Sequence, residues 1–427
     1  MPSNRAVAAR AERFLIIAAA AGLVVVAFAF APGLEMFRTA KEAAFRTQAL
    51  VSAFALATAV AFGGAERLRE MLRDRAITAL VVAALVWTAI ATLASGQRAL
   101  SLDAFATVVC SLLLFVAVWY IAPQFPPAAL LVLVPTAAIN TALAALQEYG
   151  IWNPFEFARE LPAHLTATAL IGNPNDIGGY LALCTVVLLA ISPFVPGRLR
   201  WLALCGGVAA FIGVVVSQTR TAILALAATA FFVALRRSRK LAFAIVGAML
   251  LALLLAYYVN LGVLTRLAHV PGYLARGHWN LVLSDRLPAF TAAAAMFADH
   301  PLLGVGPGAY KYFYLSYRVR LIDKYPESIM GTAGVNFAEV HNDHLQLLAE
   351  TGLPGYALFI AACVVLALRA RQTEELPGDR ARLASQLAPA LVITVGMLAL
   401  AFFPLQIAST RHLLITISAL AAGWSRT

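Results

Sequence analysis

Charge is scarce in this chain: only 12% of its 427 residues are Asp, Glu, Lys or Arg, while 62% are apolar. Soluble domains carry about twice that charged fraction. The shortage excludes a water-soluble globule of this length, a disordered chain and a nucleic-acid-binding module. Cysteine is almost missing. The four present (Cys110, Cys184, Cys205 and Cys363) all lie in apolar runs, and none has a C-x-x-C or other ligand spacing. That argues against a disulfide framework or a cysteine-held metal and reads them as small core side chains. No internal repeat is visible, and no strand-like alternation competes with the long runs.

Long apolar runs are what the chain has in plenty. A helix crossing the hydrocarbon core needs about 20 mostly apolar residues. Twelve runs qualify or nearly so: 14–31, 47–63, 77–95, 104–122, 128–146, 177–195, 201–216, 221–235, 241–259, 352–368, 387–403 and 412–424. Backbone polarity in lipid makes each a helix, so the expected fold is an all-α polytopic membrane protein of about twelve spans. The first run follows Arg5, Arg10 and Arg13 and reaches Ala29-Phe30-Ala31, which looks like a signal-peptide cleavage site. Its length and the following Pro32 favour an uncleaved span.

Basic residues set the orientation. With the N-terminus inside, the inner segments hold 18 Lys and Arg, the short outer segments seven and one long outer loop seven. Both termini are then expected inside, and the net charge of +11 is mostly a topology signal. All seven histidines (164, 269, 278, 300, 341, 344 and 412) fall outside or at an outer span end. The organisation expected is residues 1–259 as nine spans, 260–349 as the long outer loop with short helices, and 350–427 as three more spans. Within the loop, 286–298 reads as a helix stopped by Asp299-His300-Pro301 and the glycine-rich turn Gly304 to Gly308.

Three outer features have residue types suited to chemistry. Ser217-Gln218-Thr219-Arg220-Thr221 is a polar knot between two spans; its arginine is either an interfacial anchor or part of a site. Ser284-Asp285-Arg286 opens the loop helix, where Asp285 can cap the first turn and Arg286 can meet phosphate oxygens. A structural Asp–Arg pair explains those residues equally well. In His341-Asn342-Asp343-His344 the two imidazoles, at i and i+3 of a helix, would share a face. A neutral imidazole suits proton acceptance, a metal set with Asp343 or Glu339 has an unusual spacing, and a structural histidine fits either position alone. Residues 310–324 interleave four basic side chains with five aromatics. They suit sugar stacking, an anionic lipid-linked saccharide, or an amphipathic segment lying on the outer leaflet.

With these residues in view, the chain resembles the O-antigen ligase/polymerase superfamily of membrane glycosyl transferases, which are GT-C-like. The ligase signature His-[Asn/Ser/Gln]-x9-Gly-x-x-[Gly/Thr/Tyr] is met by His341, Asn342, Gly352 and Gly355. Ser217 to Arg220 is similar to the family's Ser-x-[Ser/Thr]-Arg element. Arg286 followed by His300-Pro301-Leu302-Leu303-Gly304-Val305-Gly306 resembles its loop entry, and Gly172-Asn173-Pro174-Asn175 resembles a segment ahead of the sixth span. The resemblance is close over 170–356. It implies transfer of a polysaccharide from an undecaprenyl-pyrophosphate-linked O-antigen donor to lipid A–core on the periplasmic face of the inner membrane, with inversion. No nucleotide sugar, ATP, cofactor or obligate metal is implied. His341 takes the catalytic role, Arg220 and Arg286 the pyrophosphate, with Gln218, Asn342 and His344 in support; membrane lipids are partners and nucleic acid is not. An O-antigen polymerase, a protein O-oligosaccharyltransferase and, from another class, a transporter are the alternatives. Transporters tend to show repeated halves and mid-membrane charges, which this sequence lacks.

Overall fold

The computed structural model describes residues 4–33, 35–155, 167–244, 246–247, 251, 269–330, 336–374 and 378–425. Among them every regular element is helical. The expected span 241–259, His164, Arg426 and loop segments 260–268 and 331–335 lie wholly or mainly outside the described residues.

In chain order the helices are α1 (Asn4–Phe28), α2 (Arg38–Ala59), α3 (Ala65–Leu72), α4 (Arg75–Ala94), α5 (Arg98–Ile121), α6 (Leu133–Glu148), α7 (Pro174–Ile191), α8 (Arg198–Val216) and α9 (Arg220–Arg237). Short elements follow: α10 (Val270–Ala275), α11 (Trp279–Val282), α12 (Leu287–Asp299), α13 (Tyr310–Ile322) and α14 (Glu327–Met330). The chain then returns to the bundle through α15 (Asp343–Gln372), α16 (Asp379–Leu398) and α17 (Ala408–Trp424). Among the described residues nine helices are long and apolar enough to cross a membrane by length and composition. Two further expected runs, 221–235 and 412–424, lie within α9 and α17. This is a multi-pass membrane protein.

Helix α7 is the hub, with 15 of its 18 residues buried. Small residues let neighbours approach it, as expected where van der Waals packing drives helix association in lipid. A Cβ on Gly178 would come within 2.6 Å of the Thr219 side chain, and one on Gly179 within 2.3 Å of the Phe402 ring. These glycines thus seat the polar knot before α9 and the turn after α16 against one helix end. Cys110 and Cys184 are buried as expected, but Cys205 is exposed. It lies on α8, only a third of whose span is buried, so its outward side meets lipid instead of a core.

The helix over the run 387–403 starts and ends earlier than expected, spanning Asp379–Leu398. Helix α16 stops at Leu398, and Ala399 to Phe403 form a turn at the same end of the bundle as the starts of α2, α7 and α9. The turn's own amides close the Val395, Met397 and Leu398 carbonyls at the helix end, and the turn's carbonyls in their place accept from groups elsewhere in the chain. That turn organises everything described next.

Candidate active site

Asn342 caps α15: its side chain accepts from the Leu345 amide at 3.0 Å. Helix α15 therefore begins at Asp343 and leaves His341 outside, in a left-handed backbone conformation (φ 58°). The expected shared face of His341 and His344 does not exist for this reason. His344 contacts the Gly396 carbonyl at 3.2 Å and the rings of Tyr356 and Phe359. His341 packs edge-on against Phe337 and Phe403, with centroids 5.6 and 4.5 Å away. Asp343 goes a third way, accepting from the Leu405 amide at 2.8 Å. Among the described residues no cluster of His, Cys, Asp or Glu is placed to hold a metal ion.

The turn Ala399–Phe403 gathers the remaining groups. The Asp343 amide donates to the Ala399 carbonyl at 3.0 Å and the Asn342 side chain to Leu400 at 2.9 Å. The Arg286 guanidinium donates to Ala401 at 2.6 Å. His341 and the Arg38 guanidinium both lie against the Phe403 ring, the latter 5.8 Å from its centroid. Arg38 also pairs with Glu339. Arg220 reaches the same neighbourhood by bonding Ser284, two residues before Arg286. The structure thus brings Arg38, Arg286 and His341 to one turn, with Arg220 beside them. Arg38 is the member sequence reasoning missed.

Electrostatics follow from that crowding. Burial pushes the His341 imidazole down to about 3, and the Arg286 and Arg38 guanidiniums add repulsion. Burial and then repulsion from Arg220 bring Arg286 down to about 10, while Asp176 pulls the other way. The imidazole is therefore neutral at physiological pH, and its Nδ1 is buried without a hydrogen-bond partner. An orphaned buried polar atom is costly and calls for an explanation.

Backbone strain collects here too. Among the described residues six that are not glycine have positive φ, and four are Gln218 (53°), Ser284 (54°), Asp285 (60°) and His341 (58°). Such conformations cost of order 1–3 kcal/mol each and cluster at functional sites. At Asp285 the strain overturns an expectation. Helix α12 starts one residue later than expected, with Arg286 at the N-cap position and no side-chain cap there. The tight turn instead bonds the Asp285 amide to the Asn280 carbonyl at 2.7 Å. Gln218 pairs with Glu148, and Thr219 donates to the Pro174 carbonyl at 2.8 Å. The polar knot and the Gly172–Asn175 segment are therefore in direct contact.

The glycines of the His341 motif are architectural. Gly352 has φ 67° and interrupts α15, and a Cβ there would lie 2.0 Å from the Leu302 carbonyl oxygen. The close approach lets the Leu353 amide donate to Pro301 at 2.8 Å and the Val305 amide to Ala349 at 2.8 Å. The kink thereby straps the loop to the bundle. Gly352→Ala is expected to lower the melting temperature in detergent sharply and to remove activity with it, since the strain alone is worth about 1–3 kcal/mol and the clash adds to it. A wild-type melting curve would contradict this.

Residues 205–360 match the family model described as O-Antigen ligase. Over that stretch the chain is similar to the O-antigen ligase/polymerase superfamily. Members are ligases or polymerases, glycosyltransferase-like enzymes of the membrane. The matched stretch holds the polar knot, the Ser284–Arg286 turn and the His341 motif, but not Arg38 or the Ala399–Phe403 turn. A search of curated proteins returned no match.

A cavity of about 970 Å³ borders this site at Arg38 and Asp176. It runs between α2, α4, α5, α15, α16 and α17, with Lys41, Arg46 and Arg411 near the site end and apolar walls such as Leu80, Leu358 and Leu391. Glu42, Asp103 and Asp176 line it too, and Glu42 pairs with Arg46 and Arg411, so the slot is apolar with a mixed-charge, ion-paired end; its apolar walls suit a lipid chain.

Proposed function

We propose that the protein is an O-antigen ligase, joining polysaccharide from undecaprenyl pyrophosphate to lipid A–core. In this reading the site end of the bundle faces the periplasm, the protein lies in the inner membrane with both termini cytoplasmic, and 260–349 is the periplasmic loop. The observation that carries the reading is the gathering of a neutral, half-buried imidazole and two guanidiniums at one turn, with a third beside them, at the end of a membrane bundle.

The chemistry needs those groups. A sugar hydroxyl of the acceptor attacks the anomeric carbon of the donor. Its O–H proton passes to His341, the new C–O bond forms, and the bond from the anomeric carbon to the diphosphate oxygen breaks. A positioned base contributes about 10²–10⁴-fold. The electron pair stays on the departing diphosphate, where Arg220 and Arg286 stabilise the developing charge. Arg38 extends the same positive field toward the cavity. Gln218 and Asn342 hold the knot and the α15 start in place, and His344 anchors α15 to α16. No metal or cofactor takes part in this scheme.

An O-antigen polymerase would use the same donor and the same residues with a second lipid-linked glycan as acceptor. The deciding experiment reconstitutes the protein with undecaprenyl-linked polysaccharide and offers either rough lipopolysaccharide or a second lipid-linked repeat. Product on rough lipopolysaccharide alone is expected. Chain growth on the second acceptor alone would overturn the ligase reading in favour of the polymerase.

A further inference from the structure

Helix α13 has a buried side and, opposite it, an exposed apolar side. The inner side buries Tyr310, Tyr314, Arg318 and Leu321, the two tyrosines in a small core with Ala289, Met296 and Val340. That burial removes two of the five aromatics from any sugar-stacking role. Its outer side carries Tyr312, Leu315, Val319 and Ile322, which are 56, 59, 63 and 51% exposed. The spacing of 3, 4 and 3 residues makes them one continuous stripe. A helix whose outer side meets water presents polar residues there. Here Lys311, Ser316 and Arg320 lie on the flanks of the stripe and not on it.

Both ends of α13 are tied to the boundary of the membrane bundle. At its start, the Ser95 hydroxyl donates to the Val305 carbonyl at 3.2 Å, and Gly308 packs against Leu100 and Ala104. Ser95 lies in the turn between α4 and α5, and Leu100 and Ala104 lie in the first turns of α5. At its finish, Tyr317 and Arg320 bond Asp299 at 2.9 and 2.7 Å. Asp299 adjoins the Pro301 segment strapped to the α15 kink. The helix therefore runs along the end of the bundle. The spans at its two anchors continue the apolar exposure through Leu93, Leu102 and Leu353.

We propose that α13 is a membrane-docking helix, with the Tyr312–Leu315–Val319–Ile322 stripe seated at the headgroup–acyl boundary of the leaflet on this side. The flanking Lys311 and Arg320 lie at the height of lipid phosphates, the arrangement of an interfacial amphipathic helix. The inference stands apart from the reaction and holds for any substrate of the site.

The test uses the full chain, one copy per nanodisc of phosphatidylethanolamine with a minority of phosphatidylglycerol. The exposed Cys205 is replaced by serine. A nitroxide is attached at Leu315→Cys, Val319→Cys, Ser316→Cys or Arg320→Cys, and collision rates with oxygen and with a water-soluble nickel chelate are compared. The oxygen-to-nickel ratio is expected to be several-fold higher at 315 and 319 than at 316 and 320. Equal ratios at all four positions would overturn the proposal. So would a stripe open to the nickel reagent in single-copy discs and protected only when two copies share a disc, which would make the occupant a second chain. Should a label at 315 or 319 unfold the protein, Tyr312→Cys and Ile322→Cys probe the same stripe.

Discussion

His341→Ala is expected to lower polysaccharide transfer by about 10²–10⁴-fold, the usual worth of a positioned proton acceptor, with donor binding retained. The imidazole sits on Phe403 beside two guanidiniums, so the arginines remain to hold the diphosphate when it is removed. Undiminished transfer at normal expression would remove His341 from the mechanism. The pH profile supplies a second check. In the empty site His341 is depressed to about 3 by burial and cationic repulsion; it is neutral, and a weak base, throughout the physiological range. A donor diphosphate brings negative charge that opposes the repulsion, and an opposite charge favours the protonated form. His341 thus becomes more basic only once the donor is bound. The acid limb of kcat, which reports the complex, is expected at higher pH than that of kcat/KM, which reports the free enzyme. The reverse order would contradict the account.

Much of this arrangement is legible in the sequence, for reasons that also mark where legibility ends. The spans are readable because lipid forces apolar length onto each crossing. The motif around His341 is readable because Asn342, Gly352 and Gly355 do local jobs: a cap, a kink and a close approach. The Ala399–Phe403 turn is not, because three of its contributions are backbone carbonyls, which any residue supplies, and the other is the Phe403 ring, one of 24 phenylalanines in the chain. In the sequence Arg38 is only one of seven basic residues on short outer segments. Yet that group held a signal. Four of the seven that run against the positive-inside bias are tied up at this end: Lys41 on the Ala27 and Ala29 carbonyls, Arg38 on Glu339, and Arg46 and Arg411 on Glu42. A fifth, Arg220, lies beside Arg286. Cations that oppose the orientation expected from the sequence need another reason to be where they are, and these contacts supply one. The exposed stripe of α13 hides differently. Its aromatics and bases look uniform along the segment, and only the fold separates the side that faces the core from the side left open.

Arg286→Gln is expected to lower transfer by about 10²–10³-fold, the scale seen when one donor to a developing oxyanion is removed, while leaving the protein at least as thermally stable. The two halves of that expectation have one cause. Arg286 is half-buried, has its acidity raised by desolvation and then by Arg220 nearby, and donates to the Ala401 carbonyl. Holding two guanidiniums together in a partly desolvated site costs free energy in the empty protein. An arriving diphosphate recovers it, which is how a preorganised anion site works. Glutamine still donates to Ala401 but carries no charge, so it relieves the repulsion and forfeits the field. A purely structural arginine predicts the opposite pairing: lost stability accompanied by lost activity. Melting temperature and initial rate, measured on the same preparation with saturating acceptor, separate the two. A further rise in melting temperature on adding undecaprenyl diphosphate is expected for the wild type and is expected to shrink in Arg286→Gln, because the charge that the ligand neutralises is gone. An undiminished rise would place the diphosphate elsewhere.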